Sequence, residues 1–291
     1  MSRRHPIISV TGSSGAGTTS VKKTFEQIFR RENVTAAFIE GDAFHRYDRA
    51  EMRQMMADEA ERGNKHFSHF SPETNLFEEL QKSFREYGET GTGLTRHYVH
   101  DDEEAALYGG DPGTFTAWTA LPHESDLLFY EGLHGAVVTE KVNVAQYADL
   151  KIGVVPVINL EWIQKLHRDR SHRGYSTEAV TDTILRRMPD YVNYICPQFT
   201  ETDINFQRIP TVDTSNPFIA RWIPTPDESM VVIRLKNPRG IDFPYLLSTI
   251  PHSFMSRANS IVIPGSKLDL AMQLILTPLI LQLIERKRRS L

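Results

Sequence analysis

The N-terminal forty residues contain the feature that most constrains the fold, a β-rich run that leads through a glycine-rich turn into a helical pattern. Residues 7–10 read Ile-Ile-Ser-Val, residues 12–19 read Gly-Ser-Ser-Gly-Ala-Gly-Thr-Thr, and apolar residues then recur at helical spacing. This order matches the phosphate-binding pattern G-x-x-x-x-G-K-[ST], in which backbone N–H groups and a helix N-terminus surround phosphates. A strand that runs through such a turn into a helix predicts an α/β fold.

One position departs from that pattern, because Thr18 stands where lysine is usual. Another cation must therefore approach the β- and γ-phosphates of the nucleotide. We expect the hydroxyl of Thr19 to hold the Mg²⁺ that accompanies ATP. The alternative is a strand-to-helix turn without a ligand. The predicted ATP-binding residues are Gly12, Ser13, Ser14, Gly15, Ala16, Gly17, Thr18, Thr19 and Ser20.

Further strand and helix patterns alternate along the chain. Strands are predicted at residues 36–40, 126–130, 152–158, 230–235 and 260–263. Helices are predicted from about Leu160, from Thr177 to Pro189, and from Ser266 onward. The alternation predicts a mostly parallel sheet covered by helices on both faces. We assign residues 1–291 to one domain, with insertions at about 47–122 and a lid at about 168–190.

Bulk properties narrow the function classes. The net charge of −4 gives no reason to expect a nucleic-acid partner. The N-terminus has no apolar signal-peptide core, so we expect a cytoplasmic protein. The single cysteine, Cys196, cannot form an internal disulfide, and we expect it to pack as a small apolar residue. The apolar segment 268–284 contains polar residues and is short for a membrane span, which favours a core or subunit-interface helix.

Two predicted strands end in carboxylates. Glu131 follows Phe129-Tyr130, where enzymes with this phosphate loop place an acid that supports Mg²⁺; the alternative is a capping glutamate. Asp42 follows the second strand and is placed to accept the proton of an acceptor hydroxyl; the alternative is an ordinary turn aspartate. His45 and Arg49 come next and are suited to an anionic acceptor.

A basic stretch follows the fourth predicted strand. Lys165, Arg168 and Asp169 fall on one helical face, and Arg173, Arg186 and Arg187 follow in the predicted lid. Arginine suits such a site because its planar fork matches phosphate oxygens. These cations are therefore candidates to replace the charge that Thr18 lacks. The alternative is a solvated basic face with salt bridges to Asp169.

Four segments resemble the phosphoribulokinase family, in particular its bacterial branch. They are residues 12–18, 40–46, 129–135 and 203–208, and the resemblance extends over essentially the whole chain. It implies a P-loop kinase fold with an arginine-rich lid and transfer of the γ-phosphoryl group of ATP to ribulose 5-phosphate. The bacterial branch lacks both the loop lysine and the regulatory cysteines of plant enzymes. Thr18 and Ala16 stand here where those residues are found.

The resemblance also implies roles for particular residues. Asp42 would be the base toward the C1 hydroxyl, Glu131 would assist Mg²⁺-ATP, and His45 and Arg49 would bind the sugar phosphate. We predict His100 as a further substrate contact and Arg173 as part of the same site. Lys165, Arg168 and Asp169 are assigned to catalysis, and Arg186 and Arg187 to the lid.

Partners follow from the same resemblance. It implies Mg²⁺ with ATP and no tightly bound cofactor, a homo-oligomer, and NADH and AMP as effectors. Arg234 and Arg257 are candidate effector contacts, although a core-edge or interface ion pair explains them as well. The alternative enzyme is a uridine-kinase-like nucleoside kinase. A GTP-binding switch is disfavoured because the sequence has no Asn-Lys-x-Asp motif.

Overall fold

The computed structural model describes residues 4–13, 18–155, 157–173 and 176–290. The predicted loop residues Ser14, Gly15, Ala16 and Gly17 lie outside these ranges, as do the side chains of Thr18, Thr19, Ser20 and Arg173. In chain order the elements are β1 (Ile7–Thr11), α1 (Thr18–Arg31), β2 (Ala36–Glu40), α2 (Arg49–Glu61), α3 (Phe77–Thr90), β3 (Leu94–Thr95), α4 (Asp102–Tyr108), β4 (Thr119–Ala120), β5 (Leu127–Gly132), β6 (Leu150–Val155), α5 (Ile158–Arg173), α6 (Thr177–Asp190), α7 (Gln198–Glu201), β7 (Ile204–Pro210), β8 (Ser229–Leu235), α8 (Phe243–Thr249), β9 (Phe254–Arg257), β10 (Ser260–Pro264) and α9 (Leu268–Ser290).

Eight of these strands form one mixed sheet, in the order β2-β5-β1-β6-β7-β8-β10-β9. The first five strands in that order pair in parallel, and the last three join through antiparallel pairs. The predicted mostly parallel sheet is therefore confirmed, with an antiparallel extension at one side. Strands β3 and β4 form a separate two-stranded hairpin within the predicted insertion.

Side-chain alternation along the central strands builds a core on each face of the sheet. In β5, Leu127 and Phe129 pack with α1 and α9, whereas Leu128 and Tyr130 pack with α3. Because successive side chains of a strand point to opposite faces, a fully buried run such as β5 needs helices on both sides. The three-layer arrangement follows from that requirement.

Helix α9 occupies one of these layers. Its inner face, which includes Met272, Ile275 and Ile280, is buried in the core beside Phe25 and Ile28 of α1. Among the described residues, one helical region, Gly265–Arg289, is long and apolar enough to cross a membrane by length and composition alone. It extends beyond the apolar segment 268–284, so helix length does not decide between a membrane span and a core helix. Its packing against the sheet instead supports the prediction of a core helix.

Three boundaries differ from the sequence predictions. Strand β6 ends at Val155 and Ile158 already begins α5, so the fourth predicted strand was extended too far. Pro189 does not end α6, because the chain continues through Asp190 into a π-helical turn at Tyr191–Ile195. A proline removes one backbone donor, but the Tyr191 N–H still donates to the carbonyl oxygens of Arg187 and Met188, so the helix is not interrupted there.

Four strands and one side chain were also misjudged. The short strands β3, β4 and β9 had not been recognised, nor had β7, although its first residues alternate apolar and polar as a strand does. Cys196 is exposed rather than packed as an apolar residue.

A close approach between two glycines places the turn that carries Asp42. A Cβ on Gly132, at the end of β5, would lie 2.6 Å from the Gly41 Cα and 2.8 Å from the Tyr130 Oη. Such distances are far inside van der Waals contact, so a side chain at either glycine would push the two strand ends apart. The turn Gly41–Phe44 can therefore lie against the end of β5 because Gly41 and Gly132 have no side chains.

We expect Gly132→Ala to destabilise the protein by about 1–3 kcal/mol, because an extra methyl group in a packed site forces backbone movement. It should also lower turnover by displacing Asp42. Chemical denaturation and steady-state kinetics check both effects. Gly93→Ala is the matched control, since its Cβ would meet the flexible Leu121 side chain at 3.2 Å. Equal stability of the two variants would contradict the expectation.

Candidate active site

The carboxyl ends of four neighbouring strands meet at one edge of the sheet. Glu40 of β2 is level with Glu131 of β5, and Thr11 of β1 is level with Gly132. Because the strands are parallel, the segments that follow them all emerge at this edge, where open α/β sheets bind ligands. The predicted site residues lie in those segments or in the next helix.

Asp42 lies in a short 3-10 turn immediately after β2, between two histidines. Its Oδ1 is 3.1 Å from the His45 Nε2, and its Oδ2 is 3.4 Å from the His100 Nε2. His100 was predicted as a substrate contact, and in the structure its ring lies against Asp42. The structure thus brings Asp42, His45 and His100 together.

These contacts keep Asp42 ionised. Desolvation in the cleft raises the pKa of Asp42, but the charge of His45 and the hydrogen bonds from both histidines outweigh it. The pKa of Asp42 therefore lies well below its usual value. The hydrogen bond to Asp42 in turn raises the pKa of His100. A carboxylate held as an anion beside open space is suited to orient a hydroxyl group and accept its proton.

Arg49 and Arg96 support the same side of the cleft. Arg49 begins α2, and its Nη2 donates to the carbonyl oxygen of His100 at 2.8 Å. Arg96 donates to the carbonyl oxygens of Ala43 and His45, at 2.8 and 2.7 Å, and its guanidinium lies 3.6 Å from the ring centroid of Phe115. Arg96 therefore holds the turn that carries Asp42, a role that its sequence context did not indicate.

The opposite side of the cleft is formed by α5. Lys165 Nζ lies 2.7 Å from Asp169 Oδ2, and Arg168 Nε lies 3.0 Å from Asp169 Oδ1. The Asp169 side chain is 5% exposed, so both cations are held by a buried carboxylate. Burial and the nearby charge of Arg187 lower the pKa of Lys165 to about 8, although Asp169 opposes this shift.

One cleft of about 800 Å³ joins the two sides. Seven of the predicted site residues line it, namely Asp42, His45, Arg49, His100, Lys165, Arg168 and Arg187. The lining also contains a further cation, Arg53, which sequence analysis had not selected. An anionic substrate in this cleft would meet a carboxylate on one wall and cations on both walls.

The two glutamates at the strand ends form a different part of the site. Glu131 and Glu40 are adjacent across β5 and β2, and Lys22 of α1 pairs with Glu40 at 2.7 Å. Carboxylate oxygens are hard ligands that suit Mg²⁺. Glu131 therefore fits the predicted support of Mg²⁺-ATP by its chemistry, and Lys22 is a cation near the phosphate loop that sequence analysis had missed.

Ser13 connects the start of the phosphate loop to α5. The Ser13 hydroxyl donates to Glu161 Oε1, and Tyr191 Oη donates to Glu161 Oε2 at 3.3 Å. Burial raises the pKa of Glu161, and both hydrogen bonds oppose that shift. Glu161 thus joins the loop, α5 and the end of α6, a link that spacing in the sequence does not reveal.

The predicted lid arginines point to different places. Arg187 lines the main cleft, with its guanidinium 5.3 Å from the ring centroid of Phe70. Arg186 lines a separate groove beside Asn64 and Leu185, and its carbonyl oxygen contacts His66. The structure therefore brings Arg187, but not Arg186, to the side chains around Asp42.

Several known proteins are similar to this chain in sequence and in fold. A family model described as "Phosphoribulokinase / Uridine kinase family" matches residues 7–215. The chain belongs to the phosphoribulokinase and uridine kinase family. It is 86% identical over its whole length to a phosphoribulokinase of Nitrobacter vulgaris, all of which it covers, and 70% identical to the chromosomal phosphoribulokinase of Cupriavidus necator, with 100% of this chain and 99% of that protein covered.

A solved structure gives the same result for the fold. The phosphoribulokinase from Rhodobacter spheroides superposes with a TM-score of 0.91 at 66% identity, covering 99% of this chain and 100% of that one. The predicted P-loop kinase fold and the resemblance stated from four short segments are therefore confirmed.

The pH dependence of turnover should report the charge of Lys165. With its pKa near 8, Lys165 loses its positive charge as the pH rises through about 8, so we expect kcat to fall there. Asp169→Asn removes the carboxylate that raises this pKa, so the decline should move to lower pH. Lys165→Arg stays charged and should show no decline in this range. If kcat of Asp169→Asn fell over the same pH range as that of the wild type, the fall could not be assigned to Lys165.

Proposed function

We propose that this chain is a phosphoribulokinase, which transfers the γ-phosphoryl group of ATP to the C1 hydroxyl of ribulose 5-phosphate. The product is ribulose 1,5-bisphosphate, the CO₂ acceptor of the Calvin cycle. The observation that carries the proposal is the cleft in which an ionised Asp42 faces the Lys165–Asp169–Arg168 cluster. Full-length identity of 86% to a phosphoribulokinase supports the choice of acceptor.

The mechanism follows from the charges in that cleft. Asp42 orients the C1 hydroxyl and accepts its proton as the oxygen attacks the γ-phosphorus, while the bond from that phosphorus to the β,γ-bridging oxygen breaks and ADP leaves. Lys165 and Arg168 stabilise the negative charge that spreads over the transferred phosphoryl oxygens. Asp169 positions both cations and does not itself contact the substrate.

Binding is divided between the two sides of the site. His45, Arg49 and Arg173 bind the phosphate of the sugar, and His100 contacts the sugar while holding Asp42. Residues 12–20 would bind the nucleotide phosphates, and Thr19 and Glu131 would hold the Mg²⁺ that accompanies ATP. That ion would supply positive charge against the β- and γ-phosphates. Arg187 and Arg186 act in lid closure over the nucleotide.

Uridine-kinase-like activity is the alternative, because such enzymes share the phosphate loop and the lid. The cations around Asp42 favour a phosphorylated acceptor instead. An assay that offers ribulose 5-phosphate and uridine separately decides between the two. Phosphorylation of uridine in preference to the sugar phosphate would overturn the proposal.

Asp42→Asn should lower kcat by about three or more decades, because the amide cannot accept the proton. ATP binding and folding should be retained. Steady-state kinetics, nucleotide titration and thermal unfolding measure these effects. Asp101→Asn is the matched control, since it lines the same cleft and asparagine also caps a helix. A kcat near the wild-type value in Asp42→Asn would exclude the assignment.

We also propose that the enzyme is a cytoplasmic homo-oligomer, without nucleic-acid or membrane partners, whose effectors are NADH and AMP. Exposed apolar side chains such as Ile219 and Trp222 support subunit contacts. Arg234 and Arg257 line a groove of about 400 Å³ beside β8 and β9, which suits an anionic effector.

Removal of the groove cations should separate regulation from catalysis. Arg234→Ala and Arg257→Ala should weaken the response to NADH and AMP and leave turnover without effector nearly unchanged. Lys236→Ala is a control from the same region, because it lies outside that groove. Assays with and without each effector, together with sedimentation analysis, check the proposal. A wild-type effector response in both arginine variants would contradict it.

A further inference from the structure

Asn75, a buried residue between a short turn and α3, uses both hydrogen atoms of its side-chain amide. Its Nδ2 donates to the carbonyl oxygens of His69 and Ser71, at 2.9 and 2.7 Å, and approaches the Thr74 hydroxyl oxygen at 3.1 Å. Thr74 in turn donates to the carbonyl oxygens of Ser68 and Ser71. The turn at residues 68–75 is therefore a network in which the amide group of Asn75 is central.

This network fixes the orientation of the amide. If the side chain were flipped, its oxygen would face two backbone carbonyl oxygens, which cannot donate. The Asn75 Oδ1 must therefore point the other way, where it lies 2.9 Å from His45 Nδ1. An amide oxygen is an acceptor, so His45 Nδ1 carries a proton.

The second nitrogen of the same ring then determines its charge. His45 Nε2 lies 3.1 Å from Asp42 Oδ1, which is within hydrogen-bond distance. A neutral ring with its proton on Nδ1 would direct the Nε2 lone pair at a carboxylate oxygen. The contact is attractive when Nε2 is protonated as well.

We propose that Asn75 is a positioning residue that commits His45 to the imidazolium form, so that the contact between His45 and Asp42 is an ion pair. The side of the cleft that contains Asp42 thereby gains a fixed positive charge, on His45, next to the proposed base. Without Asn75, the ring could place a single proton on Nε2 and contact Asp42 as a neutral group.

The histidines that contact Asp42 are His45 and His100, and the other groups around them differ in charge. The His69 ring packs against His45 with centroids 4.8 Å apart, and burial, together with the charges of His45 and Arg187, holds the pKa of His69 well below its usual value. Burial and the charge of His45 lower the pKa of His134 to about 3. Both rings are neutral near pH 7, while Arg96 donates to the backbone of His45.

The consequence for catalysis concerns the acceptor. A charged His45 attracts an anionic sugar phosphate and also keeps Asp42 ionised. Loss of that charge should therefore appear mainly in the KM for the sugar phosphate, with a smaller change in kcat. This kinetic consequence rests on the proposed function, whereas the protonation state of His45 does not.

A direct measurement tests the protonation state without any assay of activity. Selective ¹⁵N labelling of the 11 histidines distinguishes an imidazolium ring from either neutral tautomer by NMR. His45→Gln assigns the His45 signals by their disappearance. We expect both His45 nitrogens to be protonated in the full-length wild-type enzyme near pH 7. If one His45 nitrogen were protonated and the other unprotonated, the proposal would be overturned. This result would not depend on which substrate the enzyme phosphorylates.

Kinetics of Asn75→Ala test the positioning role. We expect the KM for ribulose 5-phosphate to rise about tenfold near pH 8 and to approach the wild-type value as the pH falls toward 6, where histidine is charged without help. The KM for ATP should not follow this pattern. Thr74→Val is the matched control, because it removes hydrogen bonds from the same turn, including one from Asn75 Nδ2, but keeps the two carbonyl acceptors that orient the amide and so leaves Asn75 Oδ1 against His45.

A double-mutant cycle separates an effect through His45 from general loosening of the turn. In a His45→Gln background, Asn75→Ala should cause no further rise in the KM for the sugar phosphate. An equal rise in both backgrounds, or the same pH dependence in Thr74→Val, would show that Asn75 acts on the turn and not on His45.

Discussion

The parallel register of the four strands β2, β5, β1 and β6 is the constraint on which the rest of the site depends. It places Glu40 level with Glu131 and Thr11 level with the next residue, Gly132, so that the turns that follow can meet over a single edge. The close contact between Gly41 and Gly132 then fixes the turn of Asp42 against β5. Neither constraint involves a catalytic group, yet together they determine where the carboxylate of Asp42 lies.

The two carboxylates of the cleft, Asp42 and Asp169, are stabilised by contacts with basic side chains. Asp42 is paired with His45 and His100, and Asp169 is paired with Lys165 and Arg168. The contacts of each carboxylate with its basic neighbours lower its pKa, and these neighbours line the same cleft. Buried charges are costly unless they are paired, so each pair stabilises a geometry that an isolated charge could not maintain. The two clusters are ordered before any substrate binds.

Much of this site could be predicted from the sequence, for reasons that differ among its residues. Asp42 and Glu131 follow hydrophobic strands, and strand ends can be located from local pattern. Lys165, Arg168 and Asp169 share a helical face, which spacing alone reveals. The resemblance to the family supplied their suggested roles, as the local pattern could not.

Residues that act through long-range contacts were missed. Asn75 meets His45 across 30 positions, Arg96 holds the turn of Asp42 from a hairpin within the insertion, and Glu161 meets Ser13 across 148 positions. Their sequence neighbours contain no periodic signal, because the contacts arise from how distant segments pack. The contact of His100 with Asp42 also joins distant segments, and no local pattern indicated it.

The composition of the α5 cluster gives a physical account of the uncharged Thr18. Lys165 and Arg168 bring two positive charges, and Asp169 brings one negative charge, so the cluster has the net charge of the single lysine in the usual loop. A lysine in the loop reaches the β- and γ-phosphates from the loop itself. The α5 cluster instead lines the cleft that also contains Asp42, so under the proposed mechanism its charge would lie beside the transferred phosphoryl group. Substitution of Thr18 by lysine alone would therefore restore a charge to the loop without reproducing the position of Lys165 and Arg168.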